Sequence, residues 1–232
     1  GEFSENDITV IEINAASRNK LHTELGVTVC EAPSREALAA EILLLAVKPQ
    51  NVRDICPLLL PYLNGQLILS IAAGLRLTDL ARWLNGYHKL IRAMPNTPAL
   101  IGKGMSGLFA NPEVSAVERA AATQILSAVG DTLWLREESE MDALTAISGS
   151  GPAYVFLFIE AMQHAAEQLG FSNEEAKKLV LATVNGAAKL ATTSLESAAI
   201  LRKKVTSEGG TTEAAIAHML EENFIEIIQT GV

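Results

Sequence analysis

Positive charge is what this chain has least of. It carries 18 Lys and Arg against 27 Asp and Glu, a formal net charge of −9. That balance argues against a nucleic-acid or anionic-membrane partner, although a local basic pocket could still take a phosphate. Cysteine is almost absent. Cys30 and Cys56 show no metal or redox spacing, so both read as reduced, structural thiols of a cytoplasmic protein. His22, His88, His164 and His218 lack ligand spacing, which excludes an expected zinc or other metal site. There is no G-x-S-x-G motif and no catalytic cysteine context. No apolar run reaches the roughly 18 uninterrupted residues of a membrane span. The longest contenders, EILLLAVKP and GPAYVFLFIEAM, fall short. No signal-peptide pattern opens the residues given, which begin GEFSENDITV without Met, as if something upstream had been removed. Glu137, Glu138 and Glu140 make a short charge run that reads as a solvated face.

What is present is a globular mixture, 49% hydrophobic and 19% charged, in 232 residues. The first half alternates. ITVIEIN (8–14), ILLLAV (42–47), QLILSIA (66–72), KLIRAM (89–94), SGLFA (106–110) and DTLWL (131–135) read as strands. ASRNKLHTELG (16–26) reads as a short helix closed by Gly26. NVRDICPLLLPYL (51–63) reads as a helix interrupted by Pro57 and Pro61. NPEVSAVERAAATQILSAVG (111–130) is a clearer helix, capped either at Asn111 or at Ser115, where Glu118 completes a capping-box spacing. Apolar strands separated by helices predict an α/β fold with a parallel sheet covered on both faces.

Beyond Glu137 the texture changes to helices: AYVFLFIEAMQHAAEQLG (153–170), NEEAKKLVLATVNGAAKLATT (173–193) and TTEAAIAHMLEEN (211–223). The first is apolar nearly all round and so is expected to be deeply buried. One such layer is short of self-sufficient core, which predicts a homodimer that buries it. The reading is two domains, 1–137 and 138–232, with the boundary near 136–145.

Several stretches combine stiffness or bare backbone with polar groups. In AVKPQ a buried strand ends at Val47 and Lys48, where an open parallel sheet meets its ligands. SIAAG runs a strand into Ala72, Ala73 and Gly74, which leave the backbone open to a flat group. In RAMPNTPAL, Pro95 and Pro98 bracket Asn96 and Thr97, a stiff loop expected to present an amide and a hydroxyl. SGSGPAY leads into a helix with Pro152 in its first turn. VTSEGGTTEAA sets Ser207, Gly209, Gly210, Thr211 and Thr212 at a helix entrance. It is too short, and lacks the lysine, for a nucleotide P-loop. A small-carboxylate site and an elaborate N-cap are equally open readings of it.

In this order and spacing, AVKPQ, SIAAG, RAMPNTPAL, DALTAISGSGPAYVF and TSEGGTT resemble the Δ1-pyrroline-5-carboxylate reductase family over nearly the whole chain. The resemblance implies a Rossmann-like nucleotide-binding domain followed by an all-α dimerisation domain. It also implies NAD(P)H-dependent reduction of a cyclic imine to L-proline, the last step of proline biosynthesis. By that likeness Val47, Lys48 and Ala73 line the dinucleotide, Asn14 and Ser34 are further cofactor contacts, and Asn96 lies near the nicotinamide. Ser207, Gly209, Gly210 and Thr211 hold the substrate carboxylate, and the catalytic Thr212 hydroxyl meets the ring nitrogen. NADPH is the expected cofactor, with NADH the alternative; Arg18 would favour a 2′-phosphate. The likeness further implies a domain-exchanged homodimer, with a decamer of five dimers as a higher assembly.

The chain departs from the family pattern in three places. Family members open with a strand, a GxGxxG-like turn and a helix, whereas this sequence enters at what looks like the second strand. A protein that truly began at Gly1 would bind dinucleotide poorly and expose one flank of its sheet. The sequence also stops at Gln229–Val232, within what reads as a longer last helix, and Glu208 stands where many relatives have proline. Two alternatives remain: an inactive helical dimerisation module with a truncated nucleotide domain, and a related imine or β-hydroxyacid reductase.

Overall fold

The structure is a computed structural model that describes residues 3–232. The chain divides into two compact units, Gly1–Gly149 and Ser150–Val232. In the first, β1 (Thr9–Ile11) leads to α1 (Ala15–Leu25), which Gly26 closes, and to β2 (Thr28–Cys30). Then come β3 (Ile42–Leu45), α2 (Pro49–Leu59), β4 (Leu67–Ser70), α3 (Leu77–Trp83) and β5 (Leu90–Met94). A 3-10 turn (Thr97–Ile101) precedes β6 (Gly104–Ala110), α4 (Ala116–Ser127), β7 (Gly130–Trp134) and α5 (Glu140–Leu144). A π-helical turn, Thr145–Gly149, ends the unit. Pro57 is accommodated inside α2 on its exposed side, and Pro61 sits in the 3-10 turn Leu60–Tyr62 that follows.

β1 and β2 pair in parallel as a sheet of their own. A second sheet runs β3-β4-β5-β6-β7. It is mixed, which corrects the expectation of a parallel sheet: β5 and β6 are antiparallel, the other pairs parallel. The segment between β5 and β6 holds only a 3-10 turn, too short for the helical crossover a parallel pair needs.

Alternation along the strands splits the core. Ile68 and Leu90 turn toward Val52, Cys56, Leu77 and Leu80 of α2 and α3; Leu67, Leu69, Ile91 and Ala93 turn toward Ala122 and Leu126 of α4. Of the two possible caps for α4, Ser115 is the one used. Its Oγ accepts from the Glu118 amide, and Glu118 returns the bond, while the Asn111 amide group donates to the His88 carbonyl. Gly107 of β6 has Leu144 of α5 against it so closely that a Cβ would lie 2.3 Å from a leucine methyl.

The second unit is helical: α6 (Gly151–Gln168), α7 (Asn173–Thr193), α8 (Ala198–Lys204), α9 (Thr211–Glu221) and α10 (Phe224–Gly231). α6 packs on α7, whose start is fixed by a Ser172–Glu175 capping box. Only Ala176 and Val180 of this unit are buried. The expectation that α6 is deeply buried is therefore not met within one chain: Phe156 and Leu157 are 62% and 67% exposed. A helix apolar all round needs neighbours on every side, and one chain supplies too few. By length and composition alone, the helical stretch Glu140–Gln168 is also apolar enough to cross a membrane, with an 18-residue window of mean hydropathy 1.2. Ser, Gly and Glu160 punctuate the stretch, so it holds no uninterrupted apolar run of that length.

Candidate active site

Six residues expected at a cofactor follow the carboxyl ends of parallel strands: Asn14 after β1, Ser34 after β2, Val47 and Lys48 after β3, Ala73 after β4 and Asn96 after β5. Val47, Lys48, Ala73 and Asn96 share one edge of the five-stranded sheet, the kind of edge where ligands collect, while Asn14 and Ser34 follow strands of the separate two-stranded sheet. Lys48 is exposed, extended, and begins α2 without a side-chain cap. Ala73 and Gly74 are exposed, and Gly74 has φ +74°, a conformation that side chains disfavour. Asn14 and Ser34 serve the fold as well. Asn14 Oδ1 accepts from the Ser17 amide at 2.9 Å, capping α1, and Ser34 Oγ accepts from the Ala37 amide at 3.1 Å.

Asn96 differs from expectation in what its carboxamide does. Rather than being presented outward, Nδ2 donates to the Ser148 carbonyl (3.0 Å) and hydroxyl (3.2 Å), and Oδ1 accepts from the Met105 amide (2.9 Å). The π-turn Thr145–Gly149 departs from the regular helical bonding pattern and brings the Ser148 carbonyl to the asparagine. The loop is stiff, as its two prolines require, but its amide is consumed in holding it. Arg18 is likewise engaged. Its Nη1 donates to the carbonyls of Glu12 (2.7 Å) and Ile13 (2.8 Å) and its Nη2 to Glu31 (3.1 Å), so these donors are not free for a 2′-phosphate.

In the second unit, Ser207, Gly209, Gly210, Thr211 and Thr212 come together at the start of α9. Gly209 takes φ +69° to make the turn, and Gly210 is the N-cap residue. The capping contact comes from Glu213, whose carboxylate accepts from the Gly209 amide at 2.7 Å. Ser207, Thr211 and Thr212 are exposed, and none of their hydroxyls is bonded as a cap. The elaborate N-cap reading thus loses its hydroxyls. They and the first amides of α9 remain for a small carboxylate and a neighbouring polar atom.

Sequence reasoning missed one buried pair. Arg92 of β5 is 5% exposed, and its Nη1 donates to Glu138 at 3.1 Å. Glu138 is therefore not part of a solvated face, as the charge run suggested. The available signal was the arginine in LIRAM, since a charge inside a buried strand must find a partner. Near the proposed site, the Glu36 carboxyl is lowered by its own backbone amide and then by the Ser34 hydroxyl. Hydrogen bonding to Lys89 holds the Glu118 carboxyl at about 2, and burial pushes the Cys56 thiol up to about 11, which suits an inert core thiol.

Comparison with known proteins converges on one family. Residues 138–232 match the family described as pyrroline-5-carboxylate reductase dimerisation, and residues 1–74 match the family described as NADP oxidoreductase coenzyme F420-dependent. The chain is 46% identical over 219 residues to the pyrroline-5-carboxylate reductase of Pseudomonas aeruginosa, covering 94% of this chain and 80% of that one. To the pyrroline-5-carboxylate reductase of Pisum sativum it is 36% identical over 207 residues, 89% of this chain and 75% of the relative. The solved structure of a pyrroline-5-carboxylate reductase from Coxiella burnetii superposes with a TM-score of 0.93 at 37% identity, covering 98% of this chain and 85% of that one. That of Plasmodium falciparum pyrroline carboxylate reductase, with NADP bound, gives 0.80 at 30% identity, covering 88% and 78%. With a Rossmann-like first unit, a helical second unit and relatives matched over most of their length, the chain belongs to the pyrroline-5-carboxylate reductase family.

Proposed function

We propose that this protein is an NAD(P)H-dependent pyrroline-5-carboxylate reductase that reduces the imine of 1-pyrroline-5-carboxylate to L-proline. Family membership over most of the relatives' length carries the reading. The dinucleotide, NADPH by preference, fits the residues at the strand ends. Lys48 offers a cation without a protein partner to the phosphates, and the turn at Ala73 and Gly74 leaves backbone bare for close approach. Val47 lines the same edge, the Asn96 loop would meet the nicotinamide end, and Asn14 Nδ2 and Ser34 would add contacts. When bound, the reduced nicotinamide supplies the hydride that goes to the imine carbon.

The chain's own residues bind and orient. Ser207, Gly209, Gly210 and Thr211 would shape the carboxylate site at the start of α9, where the Gly209 and Gly210 amides are bonded to Glu213 and Ser207 and the Thr211 and Thr212 amides and the helix dipole favour an anion. Thr212 would direct its hydroxyl to the ring nitrogen, holding the protonated imine in the reactive orientation. No titrating side chain is needed there, because fixing two reactants relative to one another supplies a large part of such a rate. Residues 138–232 would form the dimerisation and substrate portion of a cytoplasmic homodimer, with a decamer of five dimers as the larger assembly.

The test is oxidation of NADPH followed at 1-pyrroline-5-carboxylate concentrations from zero upward, with calorimetry for dinucleotide binding. Turnover strictly dependent on the imine is expected. A persistent dimer that neither binds dinucleotide nor turns over would favour the inactive dimerisation module instead. Turnover of β-hydroxyacids in preference to the imine would favour the related reductase.

A further inference from the structure

We propose that Glu138, held by Arg92, is a positioning residue for the turn Ala72–Gly74, which the reading above assigns to the dinucleotide and on which this inference rests. Ala72–Gly74 itself has no side chain larger than a methyl. Ile71 and Leu75 on either side pack on the core, and the polar backbone of the segment, which leaves β4 at Ser70 and enters α3 at Leu77, is held from outside. At the entry, Ser70 Oγ, buried, accepts from the Ala72 amide at 3.3 Å. At the exit, Glu138 Oε1 accepts from the Leu77 amide at 2.8 Å, across 61 residues of sequence. α3 has no capping side chain of its own, because Arg76 at its N-cap position makes no such bond. Glu138 therefore supplies the cap from the far end of the unit.

The same carboxylate oxygen also accepts from Arg92 Nη1 at 3.1 Å. Arg92 shares its sheet face with Leu90, on the side covered by α2 and α3, and stands in register with Ser70 on the neighbouring strand. A buried ion pair adds little stability over an apolar pair of similar size. What it adds is direction, since a charge-assisted bond fixes the carboxylate, and the carboxylate fixes the Leu77 amide. A turn already held in one conformation binds a flat ligand without first having to be ordered. Glu138 touches neither cofactor nor substrate; it acts through the turn.

The test uses the full protein and the variants Glu138→Ala and Glu138→Gln, with Glu118→Gln as an ion-pair control elsewhere in the same unit. Three quantities are measured: amide hydrogen exchange across residues 71–77 without nucleotide, the Kd for NADPH by fluorescence, and KM for each substrate. Glu138→Ala is expected to speed exchange at Leu77 and raise the NADPH Kd, each by about 10-fold, the scale of one lost hydrogen bond. KM for the imine should change less than about twofold, and Glu138→Gln, which keeps an acceptor oxygen, should recover most of the affinity. Should Glu138→Ala not fold, Glu138→Asp carries the same expectation through its shorter reach. If Glu138→Ala leaves exchange and Kd unchanged, or if Glu118→Gln weakens NADPH equally, the positioning role is overturned while the functional reading stands. A parent protein that binds no NADPH overturns the functional reading, and this role with it.

Discussion

The two units solve the burial problem in opposite ways. In the first, the five-stranded sheet turns both faces inward, and Leu67, Ile68, Leu69, Leu90 and Ile91 are all but inaccessible. Two of its buried polar side chains are bonded within the unit: Ser70 to the Ala72 amide and Arg92 to Glu138. In the second, five helices bury only Ala176 and Val180, while Val155, Phe156, Leu157, Ile225 and Ile227 stay open. A sheet with helices on both sides is a complete hydrophobic object, whereas a thin layer of helices is half of one. The first unit closes its own core and leaves its strand ends exposed at Lys48, Ala73 and Gly74. The second leaves an apolar face open within one chain, which is why the homodimer belongs to the proposed function.

The largest effect should come from charging the open face. Phe156→Asp would carry a carboxylate into the proposed dimer core, at a cost of several kcal/mol. Sedimentation should show monomers and a lowered melting temperature; an unchanged dimer would mean that α6 lies outside the interface. Next, Thr212→Val removes a hydroxyl from an exposed helix start and should leave the fold intact. Loss of a bond to a charged partner, about 1.5–3 kcal/mol, predicts kcat lower by about 10- to 100-fold. Near-normal turnover would take Thr212 out of the mechanism.

A smaller effect tests the first unit. Asn96→Ala leaves the Ser148 carbonyl and the Met105 amide without their partner, so about 1–3 kcal/mol of stability should be lost in urea unfolding. If the midpoint does not move, the loop is held by its prolines alone. The smallest effect is a pH dependence. Glu118 has its carboxyl lowered from 4.5 to about 2 by Lys89 and Ser115. A carboxyl lowered on folding stabilises the protein above the unfolded value and loses that contribution as pH falls through the folded one. Stability should therefore decline from near pH 4.5 toward about 2, and Glu118→Gln should flatten that limb of the acid titration. An identical limb in the variant would place the sensitive group elsewhere.

Much of the fold was legible because it is written locally. The strand at ILLLAV, the closing of α1 at Gly26 and the change to helices after Glu137 follow from periodicity and breakers. Both candidate caps of α4 could be read, but choosing Ser115 required knowing that Asn111 reaches the His88 carbonyl. The mixed sheet was missed because strand direction depends on the span between β5 and β6, not on the composition of either strand. Glu138 was misread for a similar reason: its partners lie at Leu77 and Arg92, far away in sequence. Asn96 was read as displayed on a stiff loop, yet the direction of its amide depends on the distant π-turn.

The sequence by itself determined the main strands and the long helices, though not β2, α3, α5, α8 or α10, together with the change from sheet to helices and the bare or hydroxyl-bearing turns. Those are properties of neighbouring residues, whose backbone preferences and apolar spacing act over a few positions. Only the tertiary structure decided which polar groups are already bonded within the protein: Asn96 and Arg18 engaged, Arg92 paired with Glu138, and the hydroxyls before α9 uncapped. A hydrogen-bond partner is chosen by distance in space, and in a folded chain that distance is set by packing rather than by separation along the sequence.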